Sequence, residues 1–290
     1  MAPLVTAFRE PQQGGSQAFV SDLARGLTGR GHDVHVYAAS GSEIPGVEVV
    51  DTGVDPQTLA ATLYRAFGAA EDSAGEDSAG AAAAAEGAFA AAYGGMRDGR
   101  YDVVHNHAFD APAVRLAAAL QVPVVHTVHL PPDRAVSAAL REVARGRRPP
   151  AVAVVSDFQA GAWRQVVPVD AVLPPYPPTR VIPWSGTAGA GALFAGRLSP
   201  EKGAAEAIDS ARAAGLPIEV YGDVYDAGYS REQIVPRRGR PGVTVHPGVP
   251  RAALWEIMAR AACREHAEDR LDLDVSLDAH EDLYRRVAGG

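Results

Sequence analysis

Two cations, Arg197 and Lys202, stand close together in the segment Ala192–Gly203 and could bind a diphosphate. A short apolar run ends at Gly196 just before them, and the alanine-rich stretch Gly203–Ala214 follows. This pattern predicts a buried parallel strand that passes into a helix. In an open α/β sheet such a junction faces the ligand crevice, where a helix N-terminus favours anions. The alternative is a pair of surface cations beside a turn.

Histidines lie at the ends of two predicted strands. His105 and His107 end one apolar run, and they point to the same side if the strand persists that far. The next strand is Pro123–Thr127, with His129 just beyond it. His126 and His129 have a spacing that could bind a metal on a helix, but they lie on a strand and its exit without a nearby carboxylate. We therefore predict no metal site. A structural hydrogen-bonding role is the alternative for a histidine at a strand end.

The elements that position these side chains alternate between strands and helices. Pro3–Phe8 is an apolar run that predicts the first strand, Ser16–Arg30 has helical spacing, and Asp33–Ala39 alternates as a strand does. This order predicts a βαβ unit with a parallel sheet. Gly14 and Gly15 precede the helix, and a residue without Cβ permits close approach to the backbone N–H groups. A flexible turn is the alternative for this pair.

The rhythm continues through the rest of the chain. Ala111–Leu120 is predicted as a helix, and Pro150–Asp157 as a strand that runs into Ser156 ahead of the helix Phe158–Val166. Leu173–Pro183 is so rich in proline that we predict a linker without regular structure. In the second half the pattern predicts strands at Ile218–Tyr221 and Val243–Val245 and a helix at Arg251–Ala262.

The motif around the two cations resembles that of a known family. Gly196–Gly203 reads G-R-x-S-x-E-K-G after an apolar strand and is similar to the donor-phosphate motif of family 4 glycosyltransferases. That resemblance implies an α/β fold with two Rossmann-like domains facing each other across a cleft, the GT-B arrangement. It also implies that Arg197 and Lys202, with the backbone amides of Gly14 and Gly15, bind the donor diphosphate and stabilise its developing charge.

Further site residues follow from the same resemblance. His107 is the second histidine of a D-x-x-H-x-H segment, which implies a catalytic position near the acceptor and the reacting sugar. His129 ends a T-x-H segment, and Ser156 follows an apolar strand, which implies that both line the acceptor side. Gly222, His246 and Val249 lie in segments similar to those that line the nucleotide base in this family.

The resemblance also implies a domain organisation. An acceptor-side domain at 1–172, a proline-rich linker at 173–183 and a nucleotide-sugar-binding domain at 184–290 are expected, with a last helix that can pack back on the first domain. Relatives carry an E-x7-E helix near the end of the second domain, but no such motif follows Ala262 here. We interpret its absence as an internal deletion that shortens this domain and weakens donor binding.

These features predict transfer of a sugar from a nucleoside-diphosphate-sugar to an acceptor hydroxyl, with retention of the anomeric configuration. The two cations and the helix N-terminus would take the place of a metal ion, so no metal or other cofactor is expected. The alternative is a catalytically inactive remnant that binds a nucleotide-sugar or a partner protein. A nicotinamide dehydrogenase finds little support, because no G-x-G-x-x-G opens a helix.

Composition sets the outer bounds on function. The chain has 290 residues, of which 47% are hydrophobic and 21% charged, and this excludes disorder throughout. A net charge of -8 with scattered basic residues argues against nucleic acid as a partner. Cys263 is the single cysteine and can form no intrachain disulfide. No apolar stretch approaches the roughly 20 residues that span a bilayer, so we expect a cytoplasmic protein, with contact to a membrane surface left open. The donor, the acceptor and the oligomeric state are not predicted.

Overall fold

The computed structural model describes residues 1–10, 12, 14–59, 76–97, 101–182, 191–258 and 272–289. The chain divides into two compact units. Unit 1 comprises Met1–Arg9, Gln13–Pro178 and Leu271–Gly290, and unit 2 comprises Glu10–Gln12 and Thr179–Arg270. Residues 259–271, which include the start of the segment after Ala262 that lacks an E-x7-E motif, lie outside the described residues, as does Pro183 at the end of the predicted linker.

Unit 1 contains two parallel sheets among its described residues. The first sheet pairs β1 (His35–Ala38) with β2 (Glu48–Asp51). The second has four parallel strands that follow chain order. Its strands are β3 (Val104–Asn106), β4 (Val124–Val128), β5 (Ala151–Val154) and β6 (Ala171–Val172). The predicted α/β class with parallel sheets is confirmed.

Helices follow the strands of unit 1, as the alternating pattern predicts. Its helices are α1 (Gly15–Gly29), α2 (Glu76–Arg97), α3 (Ala111–Ala117), α4 (Arg134–Val143), α5 (Asp157–Trp163) and the C-terminal helix Leu273–Ala288. Local capping explains where α4 begins, because the Asp133 carboxylate accepts hydrogen bonds from the backbone of Ala135 and Val136. The strands β4 and β5 of the second sheet are largely buried, as is usual for parallel strands.

The C-terminal helix packs on α1 within unit 1. Arg30, at the end of α1, donates to the carboxylate of Asp278 at 2.6 Å and to that of Asp274 at 3.2 Å. Gly26 makes room for this contact, because a Cβ there would lie 2.6 Å from the Cδ1 of the buried Leu277. The helix is thereby joined to the start of the chain by both charge and close packing.

The predicted strand Pro3–Phe8 is wrong. The backbone of Ala2 donates to Tyr37 at 2.9 Å, and Met1 accepts from His107 at 2.9 Å, but the ladder goes no further. Pro3 has no N–H with which to continue it, and the chain bends over the next three residues. Leu4 and Phe8 are nevertheless fully buried, so the apolar run correctly indicates core but not strand.

Unit 2 is built on a three-stranded parallel sheet among its described residues. Its strands, in spatial order, are β7 (Ala192–Ala195), β8 (Ile218–Tyr221) and β9 (Val243–His246). Its helical elements are a 3-10 turn at Thr179–Val181, another at Pro200–Lys202, α6 (Ala204–Ala213), α7 (Ala227–Tyr229), a π turn at Ser230–Ile234, α8 (Val235–Arg238) and α9 (Arg251–Met258). The three strands predicted for this region are confirmed.

Two details of unit 2 differ from expectation. The strand Ala192–Ala195 is predicted to be buried, but its residues alternate between half-buried and exposed. Among the described strands it lies at an edge of the sheet, so only one neighbouring strand, Ile218–Tyr221, covers it. The proline-rich segment Leu173–Pro183 is predicted to hold no regular structure, yet Thr179–Val181 forms a short 3-10 turn. Such a turn needs only one or two hydrogen bonds, and proline-rich flanks do not prevent it.

Candidate functional site

Arg197 and Lys202 lie on the connection between β7 and α6 in unit 2. Past the end of β7 the backbone stays bonded to the neighbouring connection, since Gly196 donates to Tyr221 at 3.0 Å and Leu198 to Asp223 at 2.9 Å. The 3-10 turn Pro200–Lys202 follows, and a left-handed glycine then leads into α6. The strand-to-helix location is as predicted, with one extra turn before the helix.

The guanidinium of Arg197 contacts two side chains among the described residues. Its Cζ lies 4.1 Å from the centre of the Tyr225 ring, and its Nη2 lies 3.5 Å from Oε1 of Glu201. The same Oε1 accepts a 2.6 Å hydrogen bond from the hydroxyl of Ser199, and this bond is the main reason that the pKa of Glu201 is lowered. The Arg197 side chain is 39% exposed and Lys202 is exposed, so both can reach a ligand from solvent.

Gly222 occupies a crowded position beside this connection. A Cβ at Gly222 would overlap the carbonyl oxygen of Gly196, so no other residue fits without moving the backbone. The backbone of Gly222 donates to the carbonyl of His246 at 3.2 Å. Packing of the sheet therefore accounts for this glycine, whether or not a nucleotide base lies nearby.

The imidazole of His246 stacks on the ring of Tyr221 at 4.3 Å with an interplanar angle of 12°. Its Nε2 is buried and has no hydrogen-bond partner among the described residues. Val249 directly follows Gly248 and is half-buried, and the backbone of Gly248 donates to the carboxylate of Asp223 at 2.9 Å. The structure thus places the predicted base-side residues at the same end of the sheet as Arg197.

His107 and His129 meet in unit 1. Nδ1 of His107 and Nε2 of His129 lie 3.1 Å apart, so one ring donates to the other. The rings of His105 and His107 are 3.9 Å apart, as expected for side chains on the same side of the strand. The ring of Phe19, from α1, meets both His107 and His129 edge-on, at 5.6 and 5.4 Å.

Burial sets the charge of these histidines. Desolvation holds the pKa of His105 and of His107 well below its usual value, and it lowers the pKa of His129 to about 4. The rings are therefore neutral at pH 7, and each presents one donor and one acceptor nitrogen. Such a pair can orient a hydroxyl group, but it does not neutralise a diphosphate.

His105, His107 and His129 form a histidine cluster, and two residues of the C-terminal helix, His280 and Tyr284, also contact it. Neither of these two residues was predicted from the sequence. The hydroxyl of Tyr284 lies 2.6 Å from Nδ1 of His105. His280 is fully buried, and its Nδ1 donates to the carbonyl of Ser276 at 2.6 Å. Burial lowers the pKa of His280 to about 4. The available signal was the four-residue spacing of His280 and Tyr284, which places both on one helix face.

Gly14 and Gly15 begin α1. The backbone of Gly14 donates to the side-chain oxygen of Gln17 at 3.2 Å, and the same side chain donates to the carbonyl of Ala7 at 2.9 Å. No described atom lies within 4 Å of a Cβ built on either glycine. Crowding by the described residues therefore does not explain why these two positions are glycine.

Ser156 has a structural role at the start of α5. Its hydroxyl accepts a hydrogen bond from the backbone of Gln159 at 3.2 Å, which caps the helix. The Gln159 side chain donates to the carbonyl of His129 at 2.9 Å. Ser156 is thus linked to the histidine cluster only through Gln159 in the contacts described.

Asp110, at the start of α3, is a further polar residue that the sequence analysis missed. Burial, together with the nearby charge of Asp133, raises the pKa of Asp110 to about 6. Its Oδ2 has no hydrogen-bond partner among the described residues. No group of three or more histidine, cysteine, aspartate or glutamate side chains that could hold a metal ion occurs in the described ranges. Within those ranges, no helix combines the length and apolar character needed to cross a bilayer.

Comparison with known proteins finds a matching family model and matching solved structures. The model of Glycosyltransferase Family 4 matches residues 13–183. Among solved structures 35 chains match, and one is the crystal structure of AviGT4, a glycosyltransferase involved in avilamycin A biosynthesis. The two chains are 20% identical with a TM-score of 0.55, and the match covers 90% of this chain and 66% of that one. No curated protein matches this sequence.

Proposed function

This chain belongs to glycosyltransferase family 4, and from that premise we propose that it transfers a sugar from a nucleoside-diphosphate-sugar to an acceptor hydroxyl with retention. The observation that carries the proposal is the position of Arg197 and Lys202 on the connection from β7 to α6. This motif lies beyond the residues 13–183 that match the family model, so it supports the proposal independently.

Unit 2 would hold the donor. Transfer breaks the bond between the anomeric carbon and a diphosphate oxygen, and negative charge develops on the departing nucleoside diphosphate. The fork of Arg197 and the ammonium group of Lys202 would stabilise that charge, since preorganised cations favour a transition state in which charge has built up. The ion pair of Arg197 with Glu201 is exposed and therefore weak, so a diphosphate with greater charge can replace it.

Unit 1 would hold the acceptor. His107 is neutral, and its hydrogen bond with His129, in which either ring can donate, holds the imidazole in place. A neutral imidazole can then orient the transferred sugar or the acceptor hydroxyl. The hydroxyl oxygen forms the new bond to the anomeric carbon, and its proton passes to the departing diphosphate. Gly14 and Gly15 are proposed to contribute backbone N–H groups to the donor diphosphate, and the open space at both positions supports this assignment.

Donor affinity is proposed to be low. The chain spans 66% of the length of AviGT4, and no E-x7-E motif follows Ala262. Each charge-assisted hydrogen bond contributes about 1.5–3 kcal/mol, so loss of several would weaken binding about a thousandfold. An inactive remnant that binds nucleotide-sugars is the alternative, and the absent motif is the observation that favours it.

The test combines binding with turnover. We expect uridine or guanosine diphosphate to bind in calorimetric titrations, and Arg197→Ala and Lys202→Ala each to weaken binding about tenfold or more. Arg212→Ala is the matched control, because this exposed arginine lies at the other end of α6. Unchanged binding in both cation variants would refute the clamp. Binding without transfer or hydrolysis of the corresponding diphosphate sugars would favour the remnant.

A further inference from the structure

We propose that Tyr225 is a positioning residue for the donor diphosphate, whose ring fixes the orientation of the Arg197 guanidinium. The inference rests on the proposed function, because it assumes that Arg197 binds the diphosphate. It adds a residue outside the G-R-x-S-x-E-K-G motif and on a different connection, after β8.

The contact itself has the geometry of a cation–π interaction. The Cζ of Arg197 lies over the Tyr225 ring at 4.1 Å from its centre, well inside the limit of about 6 Å. A guanidinium held on its face by a ring still has its N–H edges free to donate in the plane. Those edges are the groups that pair with two oxygens of a phosphate.

The exposure of the two side chains makes this contact useful. Arg197 is 39% exposed, and an arginine at that exposure would otherwise sample many rotamers. Ordering such a side chain on binding costs affinity, and a protein that orders it beforehand avoids that cost. Tyr225 is 60% exposed, so its ring is not a core residue that happens to lie beside an arginine.

The backbone keeps Tyr225 next to the motif. Tyr225 and Asp226 both donate to the carbonyl of Leu198, at 3.3 and 3.2 Å, and Leu198 also forms a parallel bridge with Val224. The carboxylate of Asp226 then accepts from the backbone of Tyr229 at 2.8 Å, which anchors the far side of the same turn. The backbone that carries the Tyr225 ring is therefore hydrogen-bonded to Leu198, the residue that directly follows Arg197.

A titration with inorganic pyrophosphate tests this role without knowledge of the base or sugar. We expect Tyr225→Leu to weaken pyrophosphate binding about two- to fivefold, and Tyr225→Phe, which keeps the ring, to bind like the native protein. Phe158→Leu is the matched control, since Phe158 is an 86% exposed aromatic residue of unit 1. Thermal unfolding of each variant shows whether it folds.

A double-mutant cycle separates positioning from a general structural effect. If Tyr225 acts through Arg197, Tyr225→Leu has no further effect in the Arg197→Ala background. Native-like binding by Tyr225→Leu, or the same loss in both backgrounds, would overturn the inference while leaving the clamp in place. Full pyrophosphate binding by Arg197→Ala would instead refute the clamp, and the role of Tyr225 with it.

Discussion

The two units place polar groups at the ends of parallel strands in opposite ways. In unit 1 the histidine cluster of His105, His107, His129 and His280 is neutral at pH 7. His107 and His280 are buried, the other two are half-buried, and all but His105 pack on the ring of Phe19. In unit 2 the guanidinium of Arg197 remains partly in solvent, beside an exposed ring and an exposed carboxylate. Similar strand-end locations thus carry desolvated neutral groups in one unit and solvated charges in the other.

The difference teaches where stability and binding reside. Removal of one member of a buried hydrogen-bonded pair leaves the other member unsatisfied, so substitutions in the histidine cluster should lower the free energy of unfolding. Exposed charges are already well solvated, so changes near Arg197 should leave stability intact and alter anion binding instead.

Low pH should destabilise unit 1 more than unit 2, and this is the largest difference that we expect between the units. Desolvation lowers the pKa of His129 and of His280 from 6.5 to about 4 in the folded state. The unfolded chain therefore binds more protons, and stability present above pH 6.5 is lost as the pH falls towards 4. At about 1.36 kcal/mol per pKa unit, each histidine accounts for about 3 kcal/mol. Urea unfolding between pH 7.5 and 4 measures the loss.

Hydrogen exchange at the two pH values assigns that loss to a unit. Protection should fall first in β3, β4 and the C-terminal helix, before it falls in β7–β9. The variant His280→Gln removes one titrating group, so its stability should depend less steeply on pH. An equally steep dependence in that variant would contradict the role given to His280.

Removal of the Phe19 ring, which contacts three histidines of the cluster, should have the next largest effect on stability. Phe19 is buried and contacts the rings of His107, His129 and His280. Phe19→Ala should lower the free energy of unfolding by about 3–5 kcal/mol, as for other buried aromatic residues. Chemical denaturation measures this change. Phe158→Ala, at an exposed position, should change it by no more than about 0.5 kcal/mol.

A matched pair of polar substitutions compares the units directly. His129→Ala leaves Nδ1 of His107 without its 3.1 Å partner and should cost about 1–3 kcal/mol of unfolding free energy. Arg197→Ala should change that free energy by less than about 0.5 kcal/mol, because the side chain is solvated. Equal losses in the two variants, measured by urea unfolding, would remove the distinction between the units.

The smallest expected effect concerns the carboxylate beside Arg197. Glu201→Gln removes a charge that competes with an anionic ligand at 3.5 Å from Nη2. Pyrophosphate should then bind about twofold more tightly, a size typical of exposed ion pairs. Calorimetry provides the measurement, and Glu219→Gln, an exposed change on β8, provides the control. Weaker binding would mean that Glu201 helps to hold Arg197 in its binding orientation.

Much of the fold follows from local pattern. Apolar runs bounded by glycine or proline correctly predict β7, β8 and β9, since period and punctuation are local properties. The prediction fails at Pro3–Phe8, where one missing N–H ends the ladder, and it misjudges the burial of β7, which depends on how many strands flank it. Burial is a tertiary property that no local window contains.

In the candidate site, too, some contacts can be predicted from local pattern and others depend on the tertiary fold. The approach of His107 to His129 follows from adjacent parallel strands, which bring their carboxyl ends together. His280 and Tyr284 enter the cluster from more than 150 residues further along the chain, and Tyr225 reaches Arg197 from another connection. Contacts of that kind depend on the assembled fold, and helix or strand periodicity does not reveal them. The catalytic and binding roles of the predicted residues stay predictions until the binding and transfer assays are done.

The close approach of Gly222 to Gly196 has a practical consequence for protein engineering. The two connections after β7 and β8 touch through backbone atoms and are joined again at Leu198 and Val224. An insertion in one of them would displace the other. Anyone who grafts the connection that carries Arg197 and Lys202 into a different scaffold should therefore transplant both segments together.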